Sequence, residues 1–297
     1  MKIIDTHQHL WDLERFNYAW LEGLPRLRRS YLPGDYRAAA AGLGIEQSIF
    51  MEADVDLPYL EEETRWVLRL AGEESPMTAV IAGARPESPD FPRYLERLAA
   101  GAPRLKGLRR ILHTQPDELS EPPRFAENLR RLAPWGLSFD LCLLARQLPI
   151  ALRLARACPE VQFVLDHCGV PRVKERELEP WRRHIRELSR LPNLAAKISG
   201  VVAYADPQHW SAEDLRPYVE HVIECFGWDR VMFGGDWPVC TLSASLRQWV
   251  EALDALTRDA GELNRHKLFY ANAVRLYRLA AGSHPPAQAN IPAVNGG

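Results

Sequence analysis

Two histidines one residue apart stand near the start of the chain, in the stretch DTHQHLW, with Asp5 just before them. Alternate side chains of an extended strand share a face, so His7 and His9 lie side by side, roughly 7 Å apart at Cα. That spacing lets two imidazoles converge on a metal ion or a polarised oxygen. A strand end meeting water would also be polar, so the stretch needs partners elsewhere in the chain. Further polar residues do close short apolar runs: Glu52 and Asp54 after SIFM, and Arg109, Arg110 and His113 around LKGL. Asp166 and His167 follow QFVL, Lys197 and Ser199 lie in AAKISG, and Asp236 and Trp237 follow VMFGG. Two or three imidazoles with one carboxylate suit Zn²⁺ or a similar divalent metal, with one coordination position left for water.

Each residue also has a plainer role open to it. Asp166 can cap a strand or orient His167, and His113 can be an ordinary loop histidine. Lys197 lies in an apolar run, where a buried ammonium needs a partner, so it is either a paired structural lysine or a substrate-facing one. Glu52 can bind substrate hydroxyls or hold Arg109. Cys168 reads as a small packed residue. Trp11, Trp20 and Trp237 either stack on a ligand or pack the mouth of the site. His184, His209, His221 and His266 fall in helical or loop segments, where surface or capping roles suffice.

The elements that would position these residues can be read along the chain. Strands are expected at KIIDTHQH, QSIFMEA, TAVIAGA, RLKGLRRIL, LSFDLCL, VQFVLDHCG, LAAKISG and DRVMFGGDWP. Between them the apolar residues take helical spacing, as in Leu60, Thr64, Val67, Leu68 and Ala71, or Phe125, Leu129 and Leu132. Alternation of strand and helix implies a parallel sheet, and eight such units suit a closed (β/α)₈ TIM barrel. No GxGxxG follows the first strand, which disfavours a dinucleotide-binding domain. In a barrel all eight strand ends meet on one rim, so residues more than 200 positions apart become neighbours. The aromatic, proline-punctuated stretch from Leu13 to Gly44 is the first βα loop on that face. A single barrel is expected over residues 1–282, with a flexible tail over 283–297, where His284 takes no functional role.

Composition narrows the partners. The chain has 297 residues, 46% of them hydrophobic and 26% charged, with a net charge of −2. A near-neutral balance offers no footprint for nucleic acid or an anionic membrane. No apolar run approaches the roughly 20 residues of a membrane span, and the start of the chain has no basic-then-apolar leader. Five scattered cysteines without a close CxxC pair read as reduced thiols of a cytoplasmic protein. The expected partner is therefore a small molecule. A homo-oligomer is compatible with this composition but is not specified by it.

With these segments in order, the sequence resembles the amidohydrolase superfamily, in its amidohydrolase-related (amidohydrolase 2) branch of lactonases. The matching stretches are IIDTHQHLWD, LKGLRR, VLDHCGVP, AAKISG, VMFGGDWPV and LFYANAVRLYRL, which together span nearly the whole chain. The first of them, followed by RFNYAWL, is similar to the sugar-lactonase group. The resemblance implies active-site roles for His7, His9, His167 and Asp236, and substrate contact from Arg109. It departs from the binuclear members at strands four and five, which offer LKGLRRIL and SFDLCL without the expected histidine. Lys106 comes too early in strand four to reach the rim. One divalent metal, Zn²⁺ by preference, is therefore implied rather than two, and relatives differ in how far they need it.

The activity so implied is opening of a lactone by activated water. His7, His9, His167 and Asp236 hold the metal, Asp236 and His167 move protons or polarise the carbonyl, and Arg109 orients the substrate. Lys197, Glu52, His113, Trp11 and Trp237 are the further substrate-binding candidates. The alternatives are a metal-dependent decarboxylase on the same barrel, or a barrel that binds without catalysing.

Overall fold

The computed structural model describes residues 1–74 and 76–280 of the chain. The expected tail over 283–297 lies outside the described residues. Eight strands run Ile3–Gln8 (β1), Ile45–Met51 (β2), Met77–Gly83 (β3), Leu105–Ile111 (β4), Ser138–Cys142 (β5), Phe163–Leu165 (β6), Leu194–Ile198 (β7) and Val231–Phe233 (β8). Each pairs in parallel with its neighbours in the order β1 to β8. The ends meet where Gln8 bridges Trp237 and Thr6 Oγ donates to the Phe233 carbonyl. This is the expected (β/α)₈ barrel. The strands β6 and β8 are only three residues long, so their polar sequels lie in the loops that follow rather than on the strands.

Helices cover the outside: Pro33–Ala40 (α1), Leu60–Glu73 (α2), Phe91–Ala99 (α3), Pro123–Arg130 (α4) and Leu148–Ala157 (α5). Trp181–Ser189 (α6), Ala212–Phe226 (α7), Leu246–Leu256 (α8), Glu262–His266 (α9) and Asn272–Tyr277 (α10) complete the set. Prolines open α1, α3, α4 and α5, where the missing N–H costs no helical hydrogen bond. Ser245 caps α8, its hydroxyl accepting from the Gln248 amide.

Strand alternation divides the side chains. Phe139 and Phe163 point outward and pack with Phe125 of α4. Ile4, Ile49, Met51, Ala79, Ile81, Val164, Ala195 and Met232 fill the lower barrel, which α10 closes with Ala273 and Tyr277. Lys106 is at that lower end, donating to the Arg278 carbonyl. Strict alternation would place Ile4 and His7 on opposite faces. An irregularity in the β1–β2 register between Asp5 and Gln8 turns both inward, as a bulge does.

Candidate active site at the upper rim

The inward positions above the apolar plug are polar. His7 and His9 come from β1, Arg109 from β4, Asp140 from β5 and Lys197 from β7, while Asp166, His167 and Asp236 follow β6 and β8. All are buried. The ring centroids of His7 and His9 are 4.9 Å apart, and those of His7 and His167 are 4.4 Å apart. Asp236 Oδ1 lies 3.8 Å from His7 Nε2 and 3.5 Å from His9 Nε2, and Asp236 Oδ2 lies 3.9 Å from His167 Nδ1. Three imidazoles thus surround one carboxylate.

Local backbone makes this convergence possible. His167 and Asp236 both take left-handed conformations, at φ 53°, a cost usually tolerated where it aims a functional group. Gly200, at φ 63°, lies directly against His167, and a Cβ there would stand 2.3 Å from Nδ1. Gly235 leaves room for Asp5, whose carboxylate accepts from the Gly235 and His7 amides and from the Tyr36 hydroxyl. Asp5 thereby ties the loop after β8 to β1.

A backbone hydrogen bond sets the His9 tautomer. His9 Nδ1 is 2.9 Å from the Met51 carbonyl, so it carries the proton and Nε2 keeps its lone pair. His7 Nδ1 lies 3.3 Å from Asp166 Oδ1 and 3.4 Å from Lys197 Nζ, while its Nε2 faces Arg109 Nη1 at 3.3 Å. Burial pushes His7 well below its ordinary pKa, lowers His9 to about 3 and lowers His167 as well. Burial raises Asp236 to about 6 against the opposing pull of His167 and Arg109.

A divalent metal fits these residues. His7, His9 and Asp236 offer ligand atoms within 4.8 Å of one another, and His7, Asp166 and His167 form a second such group. The two groups share His7. Neutral imidazoles, which burial favours at all three histidines, are the ligating form. Asp140, Asp166 and Asp236 are buried around this centre with Arg109 and Lys197, a negative lining that a cation would offset further.

The remaining candidates stand around this centre. Arg109 donates through Nε to Glu52 Oε1 at 2.7 Å, through Nη2 to the Glu52 carbonyl and through Nη1 to Asp166 at 3.2 Å. Its Nη1 also lies 3.3 Å from His7 Nε2. Lys197 is fully enclosed one layer lower, against Asp140 at 2.6 Å and Asp166 at 3.2 Å. His113 is half-buried, with Nδ1 3.0 Å from Cys142 Sγ. Trp11 is enclosed and donates to the Arg29 carbonyl, and Trp237 packs edge-on against Tyr31. Asp140 and Asp5 were given no role from sequence. A charged residue at an inward position of an apolar strand, as in SFDLCL opposite LAAKISG, was the available signal.

The arrangement makes Arg109 part of the frame of the site as well as its surface. Arg109→Met strips two buried carboxylates of their cation and is expected to destabilise the fold by about 3–5 kcal/mol. Urea unfolding of the variant beside the wild type measures this, and an unchanged midpoint would show that Glu52 and Asp166 do not depend on Arg109.

Comparison with known proteins places this geometry among relatives. A family model described as amidohydrolase matches residues 4–279. The uncharacterized protein y4mH of Sinorhizobium fredii is 31% identical over 295 residues, covering 93% of this chain and 98% of that protein. An L-fucono-1,5-lactonase of Burkholderia multivorans is 31% identical over 297 residues, covering 93% and 96%. A crystal structure of a Burkholderia multivorans amidohydrolase with bound zinc superimposes with a TM-score of 0.85 at 30% identity. That match covers 94% of this chain and all of the other.

Proposed function

The chain belongs to the amidohydrolase family, and from that membership we propose that it hydrolyses a sugar lactone to the corresponding hydroxy acid. The observation that carries this reading is the convergence of His7, His9 and His167 on Asp236 at the barrel rim. The similarity to an L-fucono-1,5-lactonase over nearly the full length supports a lactone as substrate. His7, His9, Asp236 and His167 would hold one divalent ion, zinc by analogy with the zinc-bound neighbour. When bound, that ion acidifies water and polarises the ester carbonyl.

The residues of the chain do the rest. Asp236 takes a proton from the attacking water as its oxygen bonds to the lactone carbonyl carbon. The bond from that carbon to the ring oxygen then breaks, and Asp236 returns the proton to the departing alkoxide. His167, facing the same space, stabilises the negative charge that develops on the carbonyl oxygen. Arg109 is held by Glu52 and Asp166, with one Nη2 hydrogen on the Glu52 carbonyl and the other left to orient a substrate oxygen. Asp54 after β2 and His113 after β4 are part-buried and would suit the hydroxyl groups of a sugar. Among the described residues no helix is long and apolar enough to cross a membrane. All five cysteines are free, which supports the cytoplasm as the site of action.

The test is a panel of L- and D-sugar lactones, assayed for acid release with and without chelator, beside aromatic acids assayed for CO₂. Acid release from at least one lactone, suppressed by chelation, is expected. Release of CO₂ from an aromatic acid with every lactone untouched would replace this reading with the decarboxylase one.

A further inference from the structure

The acidic run EADVD that follows β2 carries three carboxylates with different fates. Glu52 Oε1 accepts from Arg109 Nε at 2.7 Å, and Glu52 Oε2 accepts from the Asp54 amide at 2.8 Å. Asp56 accepts from the Asn17 side chain and, at 3.0 Å, from the Ala19 amide. Glu52 and Asp56 thus bind the protein to itself. The Asp54 carboxylate between them accepts no hydrogen bond among the described residues. Its position is nonetheless fixed, because its amide hangs on the same Glu52 that holds Arg109. Its backbone is left-handed, at φ 52°, a conformation that costs energy for a residue with a Cβ.

The group facing Asp54 comes from β3. The Ala84 amide donates to the Arg109 carbonyl at 2.8 Å, which seats the next residue, Arg85, beside the end of β4. Arg85 Nη2 lies 3.7 Å from Asp54 Oδ1, an ion pair without a hydrogen bond. Among the described residues Arg85 makes its side-chain hydrogen bond to the Ala84 carbonyl alone, from Nη1 at 2.9 Å. Most of its five N–H donors are therefore uncommitted. The two arginines beside it are engaged: Arg109 by Glu52 and Asp166, and Arg110 by Glu87, through Nε at 3.0 Å and Nη2 at 2.9 Å. Arg85 also lines a groove of about 270 Å³ with Leu57, Leu60, Phe91 and Tyr94, so open space adjoins the guanidinium.

The Arg85 and Asp54 side chains are 16% and 24% exposed, and an ion pair so placed adds little to stability. An acceptor beside a set of free donors is instead the complement of a hydroxyl group, which donates to the one and accepts from the other. Two adjacent hydroxyls on a ring engage both partners at once. We propose that Asp54 and Arg85 form a hydroxyl-recognition subsite beside Arg109, through which this chain selects a lactone with adjacent hydroxyl groups over the unsubstituted ring. This rests on the reading of the rim as a lactone site and adds the pair that sets its specificity. A site built to hydrogen-bond hydroxyl groups rejects the analogue that lacks them, because its own polar groups are then left unpaired.

Asp54→Gly removes the carboxylate and keeps the left-handed backbone, which glycine adopts freely. Arg85→Met removes the guanidinium from the neighbouring strand end. The probes are δ-lactams of L- and D-sugars beside δ-valerolactam, rings with N–H in place of the ester oxygen, and calorimetry reads their binding. The wild type should bind at least one hydroxylated lactam more tightly than δ-valerolactam. Each variant should lower that affinity ratio by about 10–100-fold, the scale of a hydrogen bond to a charged group. The ratio of kcat/KM for a sugar lactone over δ-valerolactone should fall by a similar factor. Lactam binding needs no turnover, so the two readings fail separately. A protein that opens no lactone yet shows the lactam preference, and its loss in the variants, would end the hydrolase reading and support the subsite. A wild type without that preference, or a wild-type ratio in either folded variant, would overturn the proposal. Equal weakening of both lactams leaves the ratio unchanged and counts against it. Failure of both variants to fold would assign the pair to folding and overturn it equally.

Discussion

Asp236→Asn should fold and bind lactone yet lose about 10²–10⁴-fold in kcat, the usual effect of removing a positioned general base. The amide keeps the shape of the carboxylate, so the three imidazoles around it retain their packing. What disappears is the group that accepts the proton of water and returns it to the ring oxygen, together with the one anionic donor of the group formed with His7 and His9. The wild type should show a matching pH dependence. Asp236 must be ionised to act as a base, and burial raises it to about 6 in the metal-free protein. Activity should therefore rise with pH through one ionisation and level off above it, with a bound cation moving that ionisation downward. Measuring kcat for both proteins from about pH 5 to 9 tests the two statements together. A variant with nearly full activity would remove Asp236 from the proton path.

The second large effect concerns the metal. Replacing His7 and His9 by alanine removes both β1 donors from the group they form with Asp236. The wild type should carry about one equivalent of zinc or a similar ion, and the double variant almost none. Lactonase activity should fall with it, by about 10²–10³-fold or more, since the charge that stabilises the oxyanion is lost. Elemental analysis of protein purified without chelator provides the count. Two tightly held ions per chain would contradict the single centre expected from strands four and five, which lack the ligands of the binuclear members.

The barrel was legible because each of its strands is a compact apolar run between helical spacings. All eight expected segments overlap an observed strand, and alternation put the two β1 histidines on one face. The ends were less legible. The stretches VQFVLDHCG and DRVMFGGDWP read as long strands, but the ladder stops at Leu165 and Phe233. The chain then turns into left-handed conformations at His167 and Asp236, which are unusual for residues with a Cβ and leave no simple periodic trace. Nor could spacing show that the β1 register slips between Asp5 and Gln8.

Pairings were harder to read than positions. Lys197 clearly needed an anion, but Asp140 is 57 residues away and two strands across the barrel. Only closure of the sheet brings them together. Arg109 was one of two partners open to Glu52 from sequence, and the structure gives that pair and adds that Asp166 shares the guanidinium. Glu63 left no sequence signal at all. It lies on the buried face of α2, accepts from the Tyr18 hydroxyl of the first loop at 2.9 Å, and is raised by burial to about 8. A helical glutamate ordinarily reads as solvent-facing, and only the packing of the loop over α2 reverses that.

The central claim is that water attacks the carbonyl carbon of a lactone held at this rim. Running the reaction in H₂¹⁸O on the best lactone of the panel, stopped early and read by mass spectrometry, tests it most directly. The account predicts one ¹⁸O atom in the carboxylate of the product and none in the newly freed hydroxyl. Label in that hydroxyl instead would mean that water attacks the ring carbon on the alkyl side of the ester oxygen, and would contradict the mechanism built on Asp236.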